Sequence, residues 1–227
     1  MTVADFQRAR SPQQQQQRRR DILDAARTML DRTPLGDISL RELSRQVGLS
    51  KSNVVRYFPS REAVFLAVLV EDWSRWLDVL AGRLPPCEEP GTGQRTEVAV
   101  GAAIAETLGA HPRLCDLIAN SQIILERNIP VATARDFKAA ALARTARLAG
   151  LVTSVIPELS QEQAFEFAGV TWVLIVGAWP MANPSPSVAS VLAEPAFAGM
   201  CVDFVQALTR TLTVVLRGLR SQLGDAD

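Results

Sequence analysis

Lys51, Ser52, Asn53, Arg56 and Tyr57 put two cations, a hydroxyl, an amide and a phenol on one short segment. Such groups donate hydrogen bonds to phosphate oxygens and to the edges of bases. Val54 and Phe58, four apart, are apolar positions of the same segment, and turning them inward leaves the five polar residues outside. A helix bounded by Ser50 and Pro59 is small enough to enter a major groove. A second concentration of charge, Arg18-Arg19-Arg20, opens a helical pattern. Cations at a helix start oppose the macrodipole by about 0.3–1 kcal/mol each, so three together ask for a compensating anion such as phosphate. A merely solvated helix start is the plainer alternative.

Catalytic chemistry finds no comparable footing. No nucleophile elbow, phosphate loop, dinucleotide fingerprint or metal-ligand pair occurs, so the chain reads as a non-enzyme without cofactor or metal. His111 stands before Pro112, a combination that marks a helix end more often than a ligand. Cys87, Cys115 and Cys201 are far apart and form no CxxC pair, which fits reduced thiols in a cytoplasmic protein better than a disulfide framework. Cys115 and Cys201 read as small buried side chains.

The elements that must hold the donors are legible in their punctuation. Ile22, Leu23, Ala25, Ala26, Met29 and Leu30 form one face of a first helix. Ser39-Leu40-Arg41-Glu42 has the pattern of a capping box, in which the Ser hydroxyl and the Glu carboxylate each satisfy a backbone N–H. It opens a short helix that buries Leu40, Leu43 and Val47. Gly48 ends that helix through a left-handed turn, and Leu49 plugs the turn. Ser50 caps the next helix and Ser60 caps the one after Pro59. Two short helices around a tight turn, packed on a preceding helix, make a helix-turn-helix.

Charge supports this placement. The chain carries 24 basic and 24 acidic residues. Residues 1–62 nevertheless hold 12 Arg or Lys against 7 Asp or Glu, and the remainder holds 12 against 17. A basic head on an acidic body points to a polyanion partner. Beyond the head the periodicity is helical throughout, so the fold class is all-α. The longest apolar run, Phe167–Ala182, is 16 residues. That falls short of the roughly 20 needed to cross a bilayer, so it reads as a buried helix and no membrane is expected.

The blocks Ile22–Ala26, Ser39–Leu43, Val47–Ser52 and Arg56–Ala63, in this order and spacing, resemble the tetracycline-repressor (TetR/AcrR) family of transcriptional regulators. The resemblance implies a three-helix DNA-binding head, a long fourth helix, and a larger helical body for ligand binding and dimerisation. Lys51, Ser52, Arg56 and Tyr57 then fall on recognition positions, and Arg61 where the family commonly has a phosphate-contacting Lys. Val55 stands where the family often has Tyr, so one usual phosphate contact is absent, with Arg56 its nearest substitute. The expected DNA-contacting set is Arg18, Arg19, Arg20, Ser39, Ser50, Lys51, Ser52, Asn53, Arg56, Tyr57 and Arg61.

The expected organisation is a disordered Gln/Arg-containing arm (1–15), a helix-turn-helix head (16–76, motif 39–58) and a ligand-binding and dimerisation body (77–227). The family further implies a homodimer, here through residues 161–181 and 196–219, on a near-palindromic operator in double-stranded DNA. A small, largely apolar effector would release this repressor. Trp76, Leu117, Ile118, Ile124, Phe165 and Trp172 are candidate ligand contacts, although core or dimer packing is the stronger reading for Trp172. The alternative function is a helical adaptor that binds polyanions without sequence preference.

Overall fold

The structure is a computed structural model, described here for residues 12–87 and 94–221. α1 (Pro12–Leu30) buries Ile22, Leu23 and Ala26. It begins earlier than the expected arm allows: Pro12 and Gln13–Gln17 are helical, while residues 1–11 lie outside the described residues. Proline suits the first turn of a helix and glutamine is a good helix former, so the Gln run extends α1. Arg18–Arg20 therefore sit beyond the first turn, and the macrodipole argument for their needing an anion loses most of its force.

After a 3₁₀ turn at Leu35–Asp37, α2 (Leu40–Gln46) opens on the capping box. Glu42 N–H donates to Ser39 Oγ at 3.2 Å and Ser39 N–H donates to Glu42 Oε2 at 2.9 Å. Gly48 has φ 65°, and Leu49 N–H donates back to the Ser44 carbonyl at 2.9 Å. α3 (Lys51–Val55) is capped by Ser50 and buries Val54. Tyr57 and Phe58 N–H groups bond the Val54 carbonyl, and Ser60 then caps α4 (Arg61–Ala81). α4 runs unbroken through the boundary expected at residue 76, with Trp73 and Trp76 buried along it. Head and body thus share one helix.

The body continues with α5 (Gln94–Gly109), α6 (Pro112–Asn120), a π-helical turn (Ser121–Leu125) and α7 (Val131–Thr153). α8 (Gln161–Ala182), α9 (Pro186–Leu192), a 3₁₀ segment (Pro195–Met200) and α10 (Phe204–Ser221) complete it. His111 sits at the N-cap of α6 with Pro112 following, its ring donating to the Thr107 carbonyl at 2.6 Å. α8 opens on a second capping box, Ser160 with Gln163. α10 lies mainly along α5, burying Phe204, Leu208, Leu212, Leu216 and Leu219. Indole pairs fasten α8: Trp172 lies 4.5 Å from Trp73, and Trp179 donates to Asp116 at 2.6 Å while meeting Phe204 edge-on.

Three expectations change. The apolar run belongs to a 22-residue helix, so α8 reaches membrane-spanning length and composition, as does Pro195–Ser221. Their exposed Glu162, Glu166, Arg210 and Arg217 and their packed inner faces fit a helical bundle instead. α10, within the segment 196–219 expected to pair two copies, turns its apolar stripe mainly to α5 within the chain, and Met200, in the same segment but outside α10, is 66% exposed. Cys201 is exposed, unlike Cys115, because it lies in the loose segment before α10 and not on a packed helix face. Burial pushes the Cys115 thiol pKa far up.

Candidate nucleic-acid interface

The short third helix turns its polar side outward. Val54 and Phe58 are buried, whereas Lys51, Ser52, Val55 and Arg56 are exposed and Asn53 and Tyr57 half-buried. Ser50 Oγ accepts from Asn53 N–H at 3.2 Å and lies 3.0 Å from Ser52 Oγ, which orders the first turn. Lys51 and Arg56 make no ion pair among the described residues. The face therefore presents two unspent cations beside hydroxyl and amide groups, the set that phosphates and base edges accept.

The flanking candidates divide. Arg19 lies 4.1 Å from the centre of the Phe58 ring and donates to the Tyr57 carbonyl at 3.4 Å, so α1 is tied to the end of the recognition segment. Arg18 pairs with Asp21 at 3.5 Å, and Arg20 is exposed without an ion pair among the described residues. The Ser39 hydroxyl donates to Glu42 at 2.7 Å as part of its cap. Those bonds from Ser39 hold the Glu42 carboxyl below its ordinary value.

Arg61, expected as a phosphate contact, is turned inward on the head. It donates to the Ile38 carbonyl at 2.6 Å, the Gly36 carbonyl at 3.3 Å and Glu62 at 2.8 Å. It braces the start of α4 against the turn before α2. Burial pushes the Glu62 carboxyl up, but bonds from Arg61, its own backbone and Ser60 outweigh that and hold it low.

Most of the candidate ligand residues are packed into or against the core. Trp76 is buried and donates to Thr107 Oγ1 at 3.0 Å; Leu117 and Ile118 are core residues of α6. Ile124 packs against the core from the π turn, and Trp172 is spent on Trp73. Phe165 is 40% exposed on α8, four residues from Gly169, while Ala164, Phe167 and Ala168 are the packed positions there.

A buried ionic hub escaped the sequence reading. Arg27 of α1 reaches Asp72 of α4 at 3.1 Å, and also Glu71 and Asp24. Arg113 of α6 meets the other Asp72 oxygen at 2.7 Å and Asp31 beyond the end of α1. Burial works against both guanidinium charges, yet their carboxylate partners win and both pKa values stand above the ordinary value. The signal was present: Arg27 sits four residues after Leu23, and Asp72 four before Trp76, charges on otherwise apolar faces.

Comparison with known proteins agrees with this geometry. Residues 22–68 match the family model described as bacterial regulatory proteins, tetR family. Residues 70–222 match that of the tetracyclin repressor-like C-terminal domain. The HTH-type transcriptional regulator EthR of Mycobacterium tuberculosis is 44% identical over 48 residues, 21% of this chain and 22% of that protein. The match thus spans about a fifth of the length of that curated relative. A TetR transcriptional regulator from Rhodococcus sp. aligns with TM-score 0.56 and 18% identity, over 89% of this chain and 96% of its own. The fatty acid degradation regulator FadR from Bacillus halodurans aligns with TM-score 0.50 and 13% identity, over 91% and 97%. At these identities the structural likenesses concern the fold.

Proposed function

The chain belongs to the tetR family of bacterial regulatory proteins, a transcriptional regulator with an N-terminal DNA-binding domain, and from that premise we propose that it is a dimeric, ligand-released repressor. The carrying observation is the outward face of α3, where Lys51 and Arg56 stand exposed without ion pairs among the described residues. Lys51, Ser52, Asn53, Arg56 and Tyr57 contact bases and nearby phosphates; Ser39 and Ser50 offer helix starts; Arg18, Arg19 and Arg20 meet the backbone alongside. Arg61 acts by holding α4 and α2 in register. Regulators of this family are generally non-enzymatic and soluble.

Two copies place their α3 helices in successive major grooves, about 34–36 Å apart or farther, so the operator is near-palindromic. The pairing surface is the outer side of α8 and α10, since Phe165, Val173, Met181 and Val214 are exposed there. Gly169, Gly177 and Gly218 leave open space over the same helices, room for a partner helix to approach closely.

A small, largely apolar effector enters the body near α6 and shifts head spacing. Leu117, Ile118, Ile124, Trp76 and Trp172 yield to it only by repacking. A coupling of about 1–3 kcal/mol is usual for such regulation, and it requires tighter effector binding to the DNA-incompetent state. In this chain Arg113 ties α6 to α4 and to the end of α1, so movement of α6 reaches the head directly.

Selection of bound DNA from a random library, followed by titration at two salt concentrations, tests the reading. A near-palindromic site preferred by about a thousandfold over random duplex is expected. Steep salt dependence with no enriched sequence would instead establish a nonspecific polyanion binder.

A further inference from the structure

A cleft of about 330 Å³ opens between the head and α7, within the range of small-molecule sites, roughly 300–1,000 Å³. One wall is the head: Arg19 of α1 and Tyr57, Phe58 and Pro59 of the α3–α4 turn. The opposite wall is α7, through Thr133, Asp136, Phe137 and Ala140, and α4 forms the floor with Leu66 and Val70. The lining is largely apolar and aromatic.

Its charges are not equally available. Arg19 is engaged with the Phe58 ring and the Tyr57 carbonyl. Glu71, also at the cleft, is held by Arg27 and Arg75. Lys138 on α7 is turned to Glu126 at 2.7 Å. Asp136 is exposed and makes no hydrogen bond or ion pair among the described residues, and neither does its neighbour Arg135. Arg19 keeps its charge on the head wall, held there by the Phe58 ring and the Tyr57 carbonyl, while on the α7 wall the Asp136 carboxylate stands beside apolar surface without an ion pair among the described residues.

We propose that this wedge binds an organic ammonium with an apolar, aromatic-sized body, Asp136 taking the cation and Phe58, Leu66, Val70 and Phe137 taking the body. The site is separate from the effector region of the body core. Its occupant touches head and body at once, so it favours whichever separation of the two walls fits it. Only the effect on DNA rests on the function proposed above; binding itself does not.

The test uses the full chain without DNA and 4-phenylbutylammonium as probe, with 4-phenylbutanol and 4-phenylbutyrate as neutral and anionic counterparts, by calorimetric titration. The ammonium is expected to bind about fivefold more tightly than the alcohol, the scale of a partly exposed ion pair. Asp136→Asn, at an exposed position, should erase that difference, and Ala140→Phe should abolish binding of ammonium and alcohol alike by filling the cleft. Val188→Ala, exposed on α9 and outside the cleft lining, should leave all three affinities unchanged. Equal binding of the three probes, tighter binding of the butyrate, or an unchanged preference in Asp136→Asn overturns the proposal. A chain that binds the ammonium as expected yet selects no DNA sequence would leave this site standing and remove the regulator reading instead.

Discussion

Single residues decide whether the head is a folded scaffold with a separate contact face. Arg56 is exposed and makes no ion pair among the described residues. Arg56→Ala should therefore weaken operator binding by about 1–3 kcal/mol while leaving the melting temperature unchanged; unaltered affinity in a mobility-shift titration would refute the assigned face. Gly48 is the opposite case. At φ 65° a β-branched side chain is strained by roughly 1–3 kcal/mol, so Gly48→Val should lower the melting temperature and weaken DNA binding indirectly. Glu42 supplies a pH test. Its carboxyl is held low by Ser39, so its support of α2 is full above the ordinary carboxylate range and fades as pH falls through the depressed value. Amide exchange in the first turn of α2 should quicken over that acid window, and Glu42→Gln should remove the pH dependence. The caps, the glycine turn and the inward Val54 and Phe58 were all legible, because each depends on neighbours within one turn. The inward use of Arg61 was not: its acceptors are the carbonyls of Gly36 and Ile38, more than twenty residues earlier in the chain, and no local pattern announces them.

At the scale of elements, the decisive feature is a single helix shared by head and body, with the Asp72 hub at its centre. Leucine and valine positions fix which side of α4 is buried, but they do not explain why a carboxylate sits on that side. The answer lies in the guanidinium groups delivered by α1 and α6. Removing one member of a buried pair costs about 3–5 kcal/mol when the other is left unpaired, whereas here Arg27 keeps Glu71 and Asp24 and Arg113 keeps Asp31. Asp72→Ala should accordingly destabilise the whole chain in denaturant titration, by less than that full penalty. Arg113→Ala should cost less, since its side chain is partly exposed and Arg27 retains Asp72. A hub worth nothing in Asp72→Ala would mean that α4 is positioned by apolar packing alone. The last helix shows what amphipathicity leaves open. Its stripe is plain in the sequence, yet periodicity says only that a surface is covered and not by what. α5, separated by about a hundred residues, covers it within the same chain. The same limit explains Phe165, whose type suggests a lining and whose helical phase puts it outside.

For the whole molecule, the inward use of α10 narrows where a second copy can sit. Once Phe204, Leu208, Leu212 and Leu216 are packed within the chain, the large apolar residues that α8 and α10 leave exposed are Phe165, Val173, Met181 and Val214, the surface proposed for pairing. Val173 is 67% exposed there, midway between Gly169 and Gly177, whose Cβ positions meet nothing. An arginine at 173 would cost little in the monomer, because the site is open to water, but would bring two like charges together across a two-fold contact. Val173→Arg should therefore yield a folded monomer in analytical ultracentrifugation at micromolar concentration, with an unchanged melting profile for the isolated chain. Operator affinity should fall far more than affinity for a half-site, since the loss is of the link between heads and not of either α3 face. A Val173→Arg protein that remains dimeric would move the pairing surface elsewhere. One that becomes monomeric but keeps full operator affinity would detach dimerisation from recognition, and the near-palindrome would then need another cause.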